Sequence, residues 1–167
     1  MADTLVLGID PGSHRLGYGL VIRRGNKYLH VAHGMVKAPS TALLPERLRV
    51  IADGLEAVLA AHQPGVMAIE QAFVSRDPHA ALVIGHARGV AMLLAARAGL
   101  TVVEYPPAVV KRSVTGNGRA EKSQVGAMIQ RMLGLPEPAQ EDAADALAVA
   151  ITHANATGLA ALLSRRT

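Results

Sequence analysis

The runs Thr4-Leu5-Val6-Leu7-Gly8-Ile9 and Val66-Met67-Ala68-Ile69 are apolar without alternation, and each ends on a carboxylate, Asp10 and Glu70. A strand covered on one face alternates apolar and polar residues; one covered on both faces does not. The two runs therefore predict central strands of a sheet with helices above and below it. Residues 16–23 and 28–36 read as two more strands joined by the turn pair Gly25-Asn26. Apolar residues at helical spacing predict a helix over 43–61, ended by Gln63-Pro64-Gly65. Further helices are expected over 80–98, over 121–133 and from 140 to at least 154, with a short strand at 101–105 before Pro106-Pro107. Residues 108–118 read as a basic, glycine-interrupted connection. The early hairpin fits an all-parallel sheet poorly, so the expected class is α/β, a mixed sheet with helices on both faces. No repeat or second domain is apparent in the 167 residues, which read as one domain, with a tail from about 160 that need not be ordered.

Half the residues are apolar and 18% are charged, a globular balance. The absence of cysteine excludes disulfides and thiolate metal sites. Gly, Arg, His or Asp interrupts each apolar run, so none is expected to span a membrane, and Met1-Ala2-Asp3-Thr4 carries no basic lead into an apolar segment. A cytoplasmic protein without a membrane partner is the expectation. The net charge is +4 and the pI about 9.9, which suits a polyanionic partner. Between Tyr105 and Arg131 stand Lys111, Arg112, Arg119, Lys122 and Arg131 against the single acid Glu121. Charge alone is equally compatible with a solubilising surface.

Asp142 and Asp145 add a second acidic pair, three residues apart and so on one helical face. Each acid has an ordinary explanation. Asp142 can complement a helix N-terminus, Asp10 can form an Asx turn before Pro11-Gly12, and Glu70 can pair with Arg76 or Lys111. Asp145, among Ala143, Ala144, Ala146, Leu147 and Val149, resists such a reading better. Four such accidents at once are less economical than one cluster. Two charges about 4 Å apart repel by roughly 4 kcal/mol at an effective dielectric near 20, so a cluster calls for cations or shared protons. Cations among carboxylates commonly serve phosphodiester chemistry.

The segments Leu7-Gly8-Ile9-Asp10-Pro11-Gly12 with Gly17-Tyr18-Gly19, Ala68-Ile69-Glu70-Gln71-Ala72-Phe73, Gly85-His86-Ala87-Arg88-Gly89-Val90-Ala91, Glu121-Lys122-Ser123-Gln124-Val125 and Asp142-Ala143-Ala144-Asp145-Ala146-Leu147-Ala148 occur in this order over nearly the whole chain. Together they resemble the RuvC family of Holliday-junction resolvases. The resemblance implies a ribonuclease-H-like fold with a mixed five-stranded sheet, a homodimer, and Mg²⁺-dependent nicking of two opposing strands of a four-way DNA junction. It implies 5′-phosphate and 3′-hydroxyl ends, with the RuvA–RuvB branch-migration complex as a partner. Carried over by motif, the catalytic and metal-binding residues are Asp10, Glu70, Asp142 and Asp145. Asp10 would be shared by two Mg²⁺ ions, for which Mn²⁺ can substitute; Glu70 and Asp145 would complete their shells, and Asp142 would hold the ion that activates water. Some family members have His at the position of Asp142, and oxygen at this position suits a hard cation.

The same resemblance makes Lys111 and Lys122 contacts near the scissile phosphate and Phe73 a base-stacking residue, with Arg76, Arg112 and Arg119 as backbone contacts. Without it, the lysines could be idle surface charges and Phe73, the only phenylalanine, a core residue. Ala81, Gly85 and Gly89 form a narrow strip at four-residue spacing, suited to packing on the chain's own sheet, to a dimer contact, or to both on different faces of the helix. Ser13-His14-Arg15 receives no task. Two rival readings are an ATPase of the actin, Hsp70 and sugar-kinase type, for which the chain is too short, and a junction-binding module without catalysis, for which buried acids near DNA are a burden.

Overall fold

The computed structural model describes residues 4–12, 14–71 and 77–163, with side chains to residue 157. The chain runs β1 (Leu5–Pro11), β2 (Arg15–Arg24), β3 (Lys27–Lys37), α1 (Leu44–His62), β4 (Val66–Glu70), α2 (Pro78–Arg97), β5 (Thr101–Tyr105), α3 (Pro107–Thr115), α4 (Lys122–Leu133) and α5 (Glu141–Leu163). The five strands form one sheet in the order β3-β2-β1-β4-β5. β2 is antiparallel to β1 and β3, whereas β4 is parallel to β1 and β5. The expected mixed α/β sheet is therefore the one that forms, with β1 and β4 at its centre.

The continuous apolar runs are explained by the two cores. Along β1, Val6 faces a core shared with α3, α4 and α5, while Leu7 and Ile9 face a core built with α1 and α2. Along β4, Val66 and Ala68 face the first core and Met67 and Ile69 the second. Alternation of side chains along a strand then carries Asp10 and Glu70, the next residues, to the α5 side.

Glycine decides how close α5 can lie. A Cβ on Gly8 would stand 1.9 Å from the Ala146 carbonyl oxygen, one on Gly17 2.1 Å from that of Asp142, and one on Gly19 2.6 Å from the Leu147 side chain. Glycine within a strand commonly marks such an approach of another backbone. Ala146, Ala148 and Ala150 on α5 are buried, so small residues line both sides of the contact.

Two expectations need correction. The basic connection at 108–118 is largely helical, as α3. Pro107 sits at the start of that helix, where its missing N–H costs nothing, Val110 and Val114 are its buried face, and Gly116 ends it at φ 79°. Secondly, α2 is long and apolar enough by composition to cross a membrane, with a hydropathy of 1.4, despite its interruptions. Its Val83, Ala87, Ala91, Leu94 and Ala95 are buried within the fold, while Leu82 and Leu93 on the same helix are exposed. Helix α5 continues through Leu163; residues 164–167, within the expected tail, lie outside the described residues.

Candidate active site

Strand register brings Asp10 and Glu70 side by side. Ile9 pairs with Ile69 across the parallel β1–β4 ladder, so the acids that follow end neighbouring strands on the same face. Ligands of α/β sheets gather at such carboxyl ends. On the other flank Asp10 pairs with Gly17, the residue against which the Asp142 backbone rests. Asp145 follows nearly one turn later on α5. The glycine patch thus sets the helical pair over the strand-end pair.

Electrostatics records the convergence. Burial, then repulsion from Asp145, Asp142 and Glu70, pushes the Asp10 carboxyl up to about 7 from an ordinary 3.8, with Lys122 opposing. Burial and the charge of Asp145 also raise Glu70, against the pull of Lys122 and Lys111. Residues separated by as many as 135 positions therefore act on one carboxyl group. Asp142 and Asp145 retain 28% and 29% side-chain exposure, enough for access from solvent, so Asp145 is not enclosed by its apolar neighbours as its sequence context suggests.

Two cations already lean on the cluster. Lys122, at the start of α4, donates from Nζ to Glu141 Oε1 at 2.7 Å and to Asp145 Oδ2 at 3.0 Å. The bond to Glu141, assisted by that to Asp145, raises the amine above its ordinary value despite partial burial. A capping box between Glu121 and Gln124 fixes the helix start that carries it. Arg15, which carries no expected task, places Nε 3.5 Å from Asp142 Oδ2. Its signal was position alone: β2 begins beside the end of β1. His14 lies 2.6 Å from the Arg47 guanidinium on α1.

The remaining expected contacts separate. Lys111, on α3, is close enough to Glu70 for its charge to be felt there. Arg112 and Arg119 are exposed; the Arg112 guanidinium lies by Gly118, and the Arg119 backbone N–H donates to Asn117 Oδ1 at 2.9 Å. Phe73 and Arg76 lie outside the described residues. Gly85 and Gly89 are exposed and Ala81 is half-buried. Among the described residues, nothing outside the local helix backbone lies within 4 Å of a Cβ built on either glycine, and the strip lines an apolar groove with Leu82 and Leu93, which are 65% and 53% exposed.

Divalent cations fit this donor set. The acids offer only hard, anionic oxygen, the chemistry that Mg²⁺ and Mn²⁺ prefer, and Asp10 is raised first by burial and then by the three other acids, with Lys122 opposing only in part. Among the described residues no three acidic or imidazole side chains presently close around one point. Lys122 and Arg15 hold two of the acids instead, and their long exposed side chains can turn away.

The sequence pattern described as crossover junction endodeoxyribonuclease RuvC matches residues 6–153. A crossover junction endodeoxyribonuclease RuvC from Geobacter sp. (strain M21) is 48% identical over 159 residues, covering 95% of this chain and 97% of that protein. One from Rhodopseudomonas palustris (strain TIE-1) is 51% identical over 155 residues, covering 93% and 89%. The structure of T. thermophilus RuvC in complex with a Holliday junction substrate shares the fold with a TM-score of 0.88 at 35% identity, covering 94% of this chain and 96% of that one. Agreement in sequence over almost the whole length, and in backbone over the same span, makes the assignment plain: this chain belongs to the RuvC family of crossover junction endodeoxyribonucleases.

Proposed function

We propose that the protein resolves four-way DNA junctions as a homodimer, each protomer hydrolysing one phosphodiester with Mg²⁺ held by Asp10, Glu70, Asp142 and Asp145. The observation that carries this reading is the Asp10 carboxyl, raised to about 7 by burial and by three other acids from distant parts of the chain. Two divalent ions bound there would activate the attacking water and stabilise the departing 3′ oxygen, leaving 5′-phosphate and 3′-hydroxyl ends. The protein's own groups supply the rest. The acids define where the ions and the phosphate backbone meet; Lys122, released from Asp145, and Lys111 beside Glu70 offer cationic contacts to the phosphate. Arg76, Arg112 and Arg119 extend the basic surface, and Phe73, three residues after Glu70, would stack on a base freed at the junction centre. Delivery by RuvA–RuvB in the cytoplasm and a single nuclease domain over 1–167 complete the proposal.

The test is cleavage of a synthetic four-way junction in Mg²⁺ and in EDTA, beside a linear duplex. Paired nicks that need the metal and the junction support the reading; ATP hydrolysis or binding without cleavage would overturn it.

The groove on α2 supports the dimer. Two exposed leucines flank glycines with open space above them, so a second copy of α2 could approach closely and bury Leu82 and Leu93. Interface anchors often contribute about 2 kcal/mol or more each. Leu82→Glu with Leu93→Glu should therefore weaken self-association by at least ~10³-fold. Sedimentation velocity should show monomers with unchanged helical circular dichroism, and paired nicking should be lost. A variant that remains dimeric would place the interface elsewhere.

A further inference from the structure

The geometry points to Arg88 as a positioning residue that fixes the main chain at Glu70 and thereby the placement of the Glu70 carboxylate. Its side chain is only 11% exposed. Nη1 donates to the Glu70 carbonyl oxygen at 2.5 Å, and Nη2 meets Glu104 Oε2 at 2.6 Å. The ladder between β1 and β4 ends at the pair Ile9 and Ile69, so Glu70 lies just past the point where pairing with β1 holds the backbone. On the other side the ladder with β5 runs one pair further, Ile69 with Glu104 and Glu70 with Tyr105, and the Gln71 N–H donates to the Tyr105 carbonyl at 2.8 Å, so β5 holds one edge of Glu70 and Arg88 supplies a side-chain tie to its carbonyl. One guanidinium thus ties the ends of two strands to α2.

Arginine is suited to this task in a way lysine is not. Its planar fork presents separate N–H groups to the carbonyl and the carboxylate at once, and it stays charged. Glu104 supplies the countercharge that makes a nearly buried guanidinium tolerable. Arg88 also adjoins Gly89, on the open strip of α2, so the helix proposed to carry the dimer contact is fastened directly to the strand bearing Glu70. Arg88 touches no reacting atom; it acts through Glu70. The inference rests on the nuclease reading given above.

The experiment compares wild type, Arg88→Gln, Arg88→Lys, Glu104→Gln and the double variant Arg88→Gln/Glu104→Gln. It measures single-turnover junction cleavage, junction affinity in EDTA, melting temperature, and Mn²⁺ binding by electron paramagnetic resonance. Groups that orient a metal ligand typically contribute 10- to 100-fold to metal affinity or activity. Arg88→Gln should lower the cleavage rate per folded molecule and the Mn²⁺ affinity by about that factor, with junction affinity unchanged and part of the rate restored at high Mn²⁺. Arg88→Lys should recover little, because it keeps the charge but not the fork. Glu104→Gln should lose less, and should add little to Arg88→Gln. A lower melting temperature with the rate per folded molecule and Mn²⁺ affinity intact would show a merely structural role and overturn the inference. Should Arg88→Gln fail to fold, Glu104→Gln decides: folded protein with wild-type Mn²⁺ affinity and rate overturns it. Wild-type protein that neither cuts nor binds Mn²⁺ would overturn the nuclease reading itself, a result distinct from an active wild type beside an equally active Arg88→Gln.

Discussion

Asp10→Asn is expected to lower junction cleavage by at least ~10³-fold while leaving junction affinity within about twofold of wild type. Asn occupies nearly the same volume, so β1 and its contacts with α5 persist. What disappears is the anionic oxygen at the centre of the cluster, on which Asp145, Asp142 and Glu70 all act. An amide oxygen is a poorer ligand for a hard divalent cation than a carboxylate. Affinity survives because attraction to DNA comes from basic side chains through counterion release, and removing an acid near the backbone weakens none of them. Single-turnover cleavage in Mg²⁺ and gel retardation in EDTA measure the two quantities separately. Cleavage at the wild-type rate would remove Asp10 from the chemistry, and an equal loss of binding would show damage to the DNA surface instead.

The second large effect concerns stability without metal. In EDTA the contribution of Asp10 to stability should fall as pH rises from about 4 to about 7, the interval between its ordinary and raised values. Within it the folded protein holds a proton that the unfolded chain has released, so raising the pH favours unfolding. Each unit of raised pKa corresponds to about 1.4 kcal/mol, which sets an upper bound of about 4 kcal/mol for Asp10. Glu70, also raised, acts in the same direction. The raised Lys122 amine stabilises throughout this interval and loses its effect only above its ordinary 10.5, while the lowered Glu141 carboxyl loses its own effect only as pH falls below 4.5. His30 and His153, both lowered chiefly by burial, act the other way within the interval, and comparison with Asp10→Asn, in which they cancel, isolates the Asp10 effect. Asp10→Asn should accordingly melt about 5–10 °C above wild type at pH 8 in EDTA, and the gap should close towards pH 4. Mg²⁺ should narrow it from the other side by stabilising wild type. Equal melting temperatures across the range would mean that the four acids do not confront one another.

The sequence exposed the strands and the acids for one reason. β1 and β4 are buried on both faces, so a charge ending each run stands out against the unbroken apolar stretch before it. The hairpin was equally legible, because Gly25 provides the positive φ, 58°, that its turn uses. Helix α3 was obscured by composition: Lys111, Arg112 and Gly116 drew attention to charge and flexibility, while Pro107, Val110, Val114 and Gly116 at their spacings form a complete short helix. The approach of α5 was hidden differently. Gly8, Gly17 and Gly19 were visible as parts of motifs, but that they face one helix is a property of the paired register and not of either strand alone. Arg15 and Arg88 belong to the same class. Each is an ordinary surface-type residue in sequence, and its role appears only once a second element comes alongside, α5 for Arg15 and the ends of β4 and β5 for Arg88.

Anomalous diffraction from crystals of the wild-type junction complex, soaked briefly in MnCl₂ and frozen before turnover, tests the central claim most directly. The wild-type complex should show manganese about 2 Å from Asp10 oxygen and from oxygens of Glu70, Asp142 or Asp145, with Lys122 displaced from Asp145. Ordered density in which Lys122 and Arg15 still hold those acids and no manganese lies among them would contradict it.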